Sequence, residues 1–483
     1  MGRVLLGLGL CSCQADPVGG VDAGVDAGTE LDGGVVFPEL ASEARLLQVD
    51  ARQTFLVSAR EDGTYAQPLP TGAAVRIAGP VEAAVAANDG SAALLRSAPV
   101  DGVRSLWWWR PGGSDAISLT TRARGDEVHD AALSYVAFLE AGAGDVTSLR
   151  MARKDACTPE GCALTTVVEL QGGAPELRAA GGTLFLVDGT KAWFVDVATG
   201  AVTSLGALPG RPFISPEGTR YGWAVEDQVL LFDAATGSPV WDHVWRNDEA
   251  RPGWLPLDTP IMLDEVHVLV NTEGRWKGAP QEVPLGHSLF ACDGQGCREA
   301  VSSNMCWTVR LAEEQRALYC REDLCPFVRC SLVNTLRDSA AGLLSISGES
   351  GTLLGPAFSE GFTAKARLRA ATAPDAVPSL EWEQGGVTTK RAVQGAVPQA
   401  PFLFVPGPRR VLYLQEVTEP DGVQRHHLWT WDLQQAVDLG ALEGFPLHQG
   451  AVLVRDNPPA LYLDTVRPGA DGRLGTAVVR VPL

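Results

Sequence analysis

The chain has 483 residues, 45% of them hydrophobic and 7% aromatic, with 39 basic against 58 acidic side chains for a formal net charge of −19. That balance excludes the phosphate-neutralising surface of a nucleic-acid binder and adsorption of the folded body to anionic lipid. No run of 18 or more apolar residues is present to cross a bilayer as a helix, and the length suits either two or three average domains or one ring of repeated sheets.

In chain order, the first feature is an export signal. After Arg3 comes the short apolar stretch 4–10 and then Cys11-Ser12-Cys13. Leu10-Cys11-Ser12-Cys13 resembles the lipobox of bacterial lipoproteins, with Leu at −3 and the small Ser12 at −1 before Cys13. One frame earlier, Leu8-Gly9-Leu10-Cys11 places a bulky Leu at −1, where that family carries a small residue. The resemblance implies that residues 1–12 are a signal peptide, that Cys13 is lipidated, and that the mature protein is held on a membrane of the bacterial cell envelope by this lipid. A buried N-terminal strand is the alternative reading of the same residues.

Residues 13–40 read as a tether. They carry the tandem Val21-Asp22-Ala23-Gly24 and Val25-Asp26-Ala27-Gly28, then Leu31-Asp32-Gly33-Gly34. Small and acidic, this segment cannot bury enough apolar surface to fold alone. Within it residues 14–36, a flexible coil of about 23 residues, span roughly 25 Å. It resembles the Asp/Gly/Ala spacers of secreted bacterial lipoproteins.

From residue 41 to residue 483 the pattern is short β-prone runs separated by turn signals. Strand pairs are predicted at 83–87 with 92–96 around Asn88-Asp89-Gly90, at 211–214 with 221–225 around Ser215-Pro216-Glu217-Gly218-Thr219, and at 402–405 with 411–415 around Pro406-Gly407-Pro408. Asp-rich loops and aromatic strands follow, such as Leu106-Trp107-Trp108-Trp109 and Leu428-Trp429-Thr430-Trp431. The tryptophan run fits strand packing between sheets, with a stacking platform for sugar or peptide as its functional alternative.

One phrase occurs twice, as Ala192-Trp-Phe-Val-Asp-Val-Ala-Thr-Gly200 and Val229-Leu-Leu-Phe-Asp-Ala-Ala-Thr-Gly237. Each predicts a hairpin in which Asp196 or Asp233 accepts turn N–H groups and Gly200 or Gly237 takes the positive φ of the reversal. The 37-residue offset is the size of one four-stranded propeller blade. The Ser-Pro-acid-Gly-Thr and Asp-x-Ala-Thr-Gly turns are similar to those of bacterial periplasmic propellers and quinoprotein-type repeats. The expectation is therefore all-β: a single propeller over 41–483 of about eight blades, with seven to nine allowed.

Blade segments are predicted at 45–79, 81–120, 127–170, 174–206, 211–245, 259–301, 305–345 and 401–442, with no clear unit over 347–398. Residues 451–454, 460–465 and 475–481 look like three strands of a last blade. A strand from the N-terminal side is expected to complete it and remove an exposed edge.

With Cys11 removed and Cys13 lipidated, eight cysteines remain, the even number expected of an exported chain. Cys157-Thr-Pro-Glu-Gly-Cys162 and Cys292-Asp-Gly-Gln-Gly-Cys297 each bracket a turn between β-prone flanks, so two local disulfides are predicted. Zinc binding by these thiols is the competing reading. Cys306, Cys320, Cys325 and Cys330 allow three pairings, of which 306–320 with 325–330 is preferred.

His243, Asp264, Glu265 and His267 are the best available metal or acid–base set. The sequence has no H-E-x-x-H, nucleophile elbow, P-loop or dinucleotide fingerprint, and no cofactor is expected. The expected function is a membrane-anchored, non-catalytic propeller that binds a protein or glycan ligand. The alternative is an envelope enzyme, either a quinoprotein-like dehydrogenase or a glycan-acting hydrolase or lyase.

Overall fold

The computed structural model describes residues 37, 39–245, 254–256, 260–262, 265–275, 284–303, 305–311, 315–323, 330–338, 342–349, 357–358, 364–369, 377–384, 387–393, 403–407, 409–455, 458–468 and 473–483. Among these the chain is all β, with no helix. It divides into two compact units. The larger comprises Phe37–Cys320, Thr335–Ile346 and Glu443–Leu483, and the smaller is built mainly on Ser347–Leu442. Among the described residues the strands form nine antiparallel sheets, most of them four strands long and hydrogen-bonded in chain order. Such a meander is the unit from which β-propellers are assembled.

The sheet 176–207 shows why these residues make blades. Its strands Glu176–Ala180, Thr183–Asp188, Lys191–Asp196 and Val202–Ala207 pair in that order. Side chains alternate across a pleat, and here both faces are apolar in the middle strands. Leu184, Leu186 and Val195 pack with Leu139, Leu149 and Leu170 of the preceding sheet. Phe185, Val187, Ala192 and Phe194 pack with Ile214 and Tyr221 of the following one. A strand covered on both faces reads as a continuous hydrophobic run, and burying each large side chain contributes roughly 1.5–3 kcal/mol. The last strand, Val202–Ala207, is mostly exposed and forms the outer edge.

Both copies of the repeated turn fold as predicted. Asp196 Oδ1 accepts the Thr199 N–H and Oγ1–H, each at 2.6 Å, and Asp233 Oδ1 does the same for Thr236 at 2.9 and 3.0 Å. Gly200 and Gly237 have φ of 73° and 67°. In Asp196 the Thr199 hydroxyl is the main cause lowering the carboxyl below its ordinary value, and in Asp233 it is the Thr236 backbone N–H.

Turns at one end of the sheets tie neighbours together. Asn88 N–H donates to Ala131 O at 2.8 Å, and Lys154 Nζ reaches both Asp89 Oδ2 at 2.8 Å and Ala132 O at 3.3 Å. The Lys154 contact, with help from Ser91, holds the Asp89 carboxyl well below the usual range. Arg153 Nη2 donates to Ala198 O at 2.6 Å in the repeated turn of the next sheet.

Three boundaries differ from the sequence expectation. The segments 81–120 and 127–170 are joined in one seven-stranded sheet, because Ile117–His129 is a single 13-residue strand. Its Ala123 and Arg124 pair with Arg104 and Val103 on one side and with Glu140 and Leu139 on the other. The run Thr121-Arg-Ala-Arg-Gly125 lacks the compact turn chemistry that would break it. The sheet expected at 259–301 begins at Trp254–Pro256, and its first edge is shared with Ile261–Met262, both paired to Val268–Arg275. The stretch 347–398, where the sequence shows no clear unit, contains a four-stranded sheet made of Ala357–Phe358, Ala364–Arg369, Ser379–Gln384 and Val387–Ala392. Leu380 and Trp382 there join Val411, Tyr413 and Trp431 in one core of the smaller unit.

The predicted strand pairs at 83–96, 211–225 and 403–415 are present. Trp108 and Trp109 are buried in two different cores, the packing role. The C-terminal strand Leu474–Pro482 lies between Ala460–Pro468 and Glu39–Ser42, with Val479 opposite Glu39 and Ala477 opposite Ser42. The N-terminal strand thus completes the C-terminal sheet. Tyr462 OH donates to Gln53 Oε1 at 2.8 Å, binding that sheet to the turn before Phe55–Arg60.

Both local disulfides are formed. Cys157–Cys162 and Cys292–Cys297 face each other in register across hairpins, with Cα separations of 3.9 and 4.0 Å. Of the cysteines in the expected 306–320 and 325–330 bridges, Cys306, Cys320 and Cys330 lie in strands whose side chains are not described, and Cys325, like the Cys13 anchor, lies outside the described residues.

Candidate functional site

A cavity of about 560 Å³ opens in the larger unit where the sheets 176–207 and 211–244 begin. Glu176 and Arg178 enter it from the first strand of one sheet, and Gly210 and Arg211 from the start of the next. The tight hairpins after Thr183–Asp188 and Arg220–Val225 contribute Gly189, Thr190 and Glu226, and Pro256 closes a side. All of these lie at the sheet end opposite the Asp89, Asp130 and Ser215 turns, because antiparallel strands return the chain to that end after every second strand.

The cavity is charged but mixed in sign. Arg178 Nη2 pairs with Glu176 Oε2 at 2.8 Å, and its Nη1 donates to Pro212 O at 3.4 Å, so this guanidinium spans the two sheets. Arg211 and Glu226 are exposed at the mouth, whereas Val187, Pro212 and Ala224 are buried in the wall. Such a site combines an apolar surface with a few polar groups that fix orientation, the usual composition of a small-ligand pocket. Thr190 is the hydroxyl and Glu176 and Glu226 are the carboxylates among its lining residues.

The residues singled out from sequence are not gathered here. His243 sits on the outer strand Pro239–Val244 with its ring stacked on Trp241, centroids 5.0 Å apart, and its buried Nε2 has no hydrogen-bond partner. Glu265 accepts the Glu217 N–H at 3.1 Å and the Thr219 hydroxyl, so its carboxylate caps the 215–219 turn of the neighbouring sheet. His267 directly precedes Val268–Arg275, and Asp264 lies outside the described residues. Among the described residues no group of three His, Cys, Asp or Glu side chains is placed to hold a metal ion.

Sequence reading did not find the cavity, because its charged residues come from three separate places in the chain, 176–178, 211 and 226. The one local clue is Glu226-Asp227, a two-residue reversal between β-prone runs with no glycine in it.

A second cluster, in the smaller unit, was also not singled out. His427 is 4% exposed, with Nδ1 2.7 Å from Asp438 Oδ2 and Nε2 2.8 Å from Glu419 Oε1. An imidazole donates to both carboxylates only when each ring nitrogen carries a proton. Glu419 N–H is bonded to Val423 O at 2.9 Å, so the histidine fastens the turn 419–423 to the strand Ala436–Leu442. Nearby, burial pushes the Tyr413 hydroxyl up to about 12. Burial and occupied ring nitrogens make His427 a structural clamp.

No protein-family model matches the sequence, and no curated protein does. Solved structures with similar architecture include a eukaryotic initiation factor, 9% identical, with 84% of this chain and 90% of that one covered at a TM-score of 0.42. The β-propeller domain of the Trilobed protease from Pyrococcus furiosus is 12% identical, with 72% and 93% covered and a TM-score of 0.29. Porphyromonas gingivalis dipeptidyl peptidase 4 is 10% identical, with 92% of this chain and 58% of that one covered and a TM-score of 0.37. At these identities and scores nothing about ligand or activity passes to this chain.

Proposed function

We propose that this chain is a non-catalytic β-propeller that binds a ligand or protein partner at the bacterial cell envelope, anchored by a lipid on Cys13 through the tether that follows it. In this reading the repeated sheets form one ring, and the pairing of Glu39–Ser42 with Leu474–Pro482 is its closure. The observation that carries the binding role is the cavity between the 176–207 and 211–244 sheets, with Arg211 and Glu226 at its mouth over an apolar wall. Hairpin turns fixed by rigid sheets supply that mouth, so its groups are held in place before a ligand arrives.

Two measurements test this. Mass spectrometry of the mature N-terminus should find diacylglycerol on Cys13 and no Cys11; a soluble product retaining Met1 would remove the anchor from the proposal. Thermal-shift measurements with short peptides and oligosaccharides should show stabilisation by at least one class, weakened by Arg211→Gln. Stabilisation by none of them would count against a binding role for the cavity.

A further inference from the structure

Asp-Gly is the dipeptide at which a side-chain carboxyl and the next backbone nitrogen meet most easily, because glycine has no Cβ to shield its N–H. Eight such pairs occur in the chain, and six lie among the described residues, at Asp62, Asp89, Asp101, Asp188, Asp293 and Asp421.

Five of these six side chains are held. Asp62 Oδ2 accepts the Tyr65 hydroxyl at 2.6 Å. Asp89 Oδ1 accepts the Ser91 N–H at 3.0 Å, and its Oδ2 pairs with Lys154 at 2.8 Å. Asp293 Oδ1 accepts the Gln295 N–H at 2.8 Å. Asp421 takes the Val423 N–H and the Arg425 guanidinium, each at 2.9 Å. Asp188 is half-buried, and its carboxylate is packed so closely on Gly173 that a Cβ there has no room. Hydrogen bonds to an ionised carboxyl favour that form, and Tyr65, Lys154 and Arg425 keep the Asp62, Asp89 and Asp421 carboxyls below their ordinary value. An ionised, fixed carboxylate is a poor electrophile, since its charge repels an incoming lone pair.

Asp101 has none of this. It shares with Gly102 a two-residue turn closed by Val100 and Val103, which exchange backbone hydrogen bonds of 2.7 and 3.0 Å. Both turn residues are exposed, Val100 beside them is 68% exposed, and among the described residues no hydrogen bond or ion pair reaches the Asp101 side chain. The Gly102 N–H has no backbone acceptor among them either, and nothing stands within 4 Å of where a Cβ on Gly102 would lie.

We propose that Asp101-Gly102 is a modification site, the place where the folded chain spontaneously converts aspartate to isoaspartate. The Gly102 nitrogen attacks Cγ of the protonated Asp101 carboxyl. The new C–N bond replaces the C–OH bond, and the hydroxyl leaves as water with the amide proton. Water then opens the cyclic imide at the Asp101 main-chain carbonyl, so that the chain continues through Cβ and Cγ and the former main-chain carbonyl becomes a free carboxylate. The turn gains one backbone carbon, which breaks the two-residue closure between Val100 and Val103. The hairpin so loosened leads into Val103–Trp109, whose Trp108 and Trp109 are buried in two cores.

Ageing of the full chain in warm neutral buffer tests this, with isoaspartate located by peptide mapping in heavy-oxygen water. The product at Asp101 should exceed that at each of the other five positions at least tenfold. The same incubation in urea should erase the preference, because the contacts that hold the other carboxyls are then gone. Asp101→Glu, which has to close a larger ring, should age without product at that position and keep the hydrogen-exchange protection of Val100 and Val103 that the aged parent loses. Equal or greater isoaspartate at any of the other five would overturn the proposal. So would a preference for Asp101 that survives in urea, since it would trace the selectivity to the flanking valines rather than to the fold. Equal loss of protection in the aged parent and in aged Asp101→Glu would overturn the effect assigned to the turn.

Discussion

The carboxylate of Asp464 accepts the backbone N–H of Leu46 at 2.7 Å, joining residues 418 positions apart. Both are buried, at 2% exposure each. Leu46 lies in Arg45–Val49, an edge strand of its sheet, beside a register shift at which Leu47 is skipped, and Asp464 satisfies a donor of that edge.

The first prediction concerns pH. Burial raises the Asp464 carboxyl from 3.8 to about 6, so between those values the folded chain holds a proton that the unfolded chain has released. The stability contributed by this group therefore falls as pH rises through that window, and the loss is complete above it. Asp464→Asn keeps an acceptor for Leu46 and removes the buried charge. Urea unfolding should show it about 1–3 kcal/mol more stable than the parent at pH 7 and nearly equal at about pH 4. The same difference at both pH values would refute this account.

Removing residues 474–483 should abolish cooperative folding of the larger unit. The deleted strand is central in its sheet, paired on one side with Ala460–Pro468 and on the other with Glu39–Ser42. Its loss exposes two strand edges and the apolar faces around Tyr462 and Leu463, a template for aggregation. Calorimetry with light scattering checks this, and a truncated chain that melts at the full-length temperature would show that the pairing is dispensable.

Oxidation of Cys157–Cys162 and Cys292–Cys297 should appear as two local bridges in non-reducing peptide maps. Closing so short a loop contributes about 2 kcal/mol in the chain-entropy treatment. Replacing both cysteines of either pair by serine should therefore lower unfolding stability by at most about that amount. Free thiols, or zinc bound to them, would contradict the pairing.

His427→Leu should destabilise the strands 403–442 by about 2–3 kcal/mol, since it leaves the Glu419 and Asp438 carboxylates facing an apolar side chain. His427→Gln, able to donate to one of them, should lose about half as much. Hydrogen exchange over 410–442 reads the local effect, and wild-type protection in His427→Leu would show that the histidine does not fasten the turn.

What could be read from the sequence was chemistry closed within a few residues. Asp196 and Gly200 make their turn with their own neighbours, and each C-x4-C pair brackets the hairpin that brings its sulfurs together. Even the strand needed to complete the C-terminal sheet was expected, because an uncovered apolar edge at 475–481 has to be paired. The fusion of two expected blades through Ile117–His129 was not legible, since continuity there depends on partners on both sides. Nor was the sheet within 357–392, whose Trp382 is held by the core it shares with Trp431. The Asp464–Leu46 bond, the capping of the 215–219 turn by Glu265, and the meeting of Arg178, Arg211 and Glu226 at one cavity are tertiary facts. Each depends on the register of strands far apart in sequence, and local propensity is silent about which distant donor, acceptor or charge a strand will be laid against.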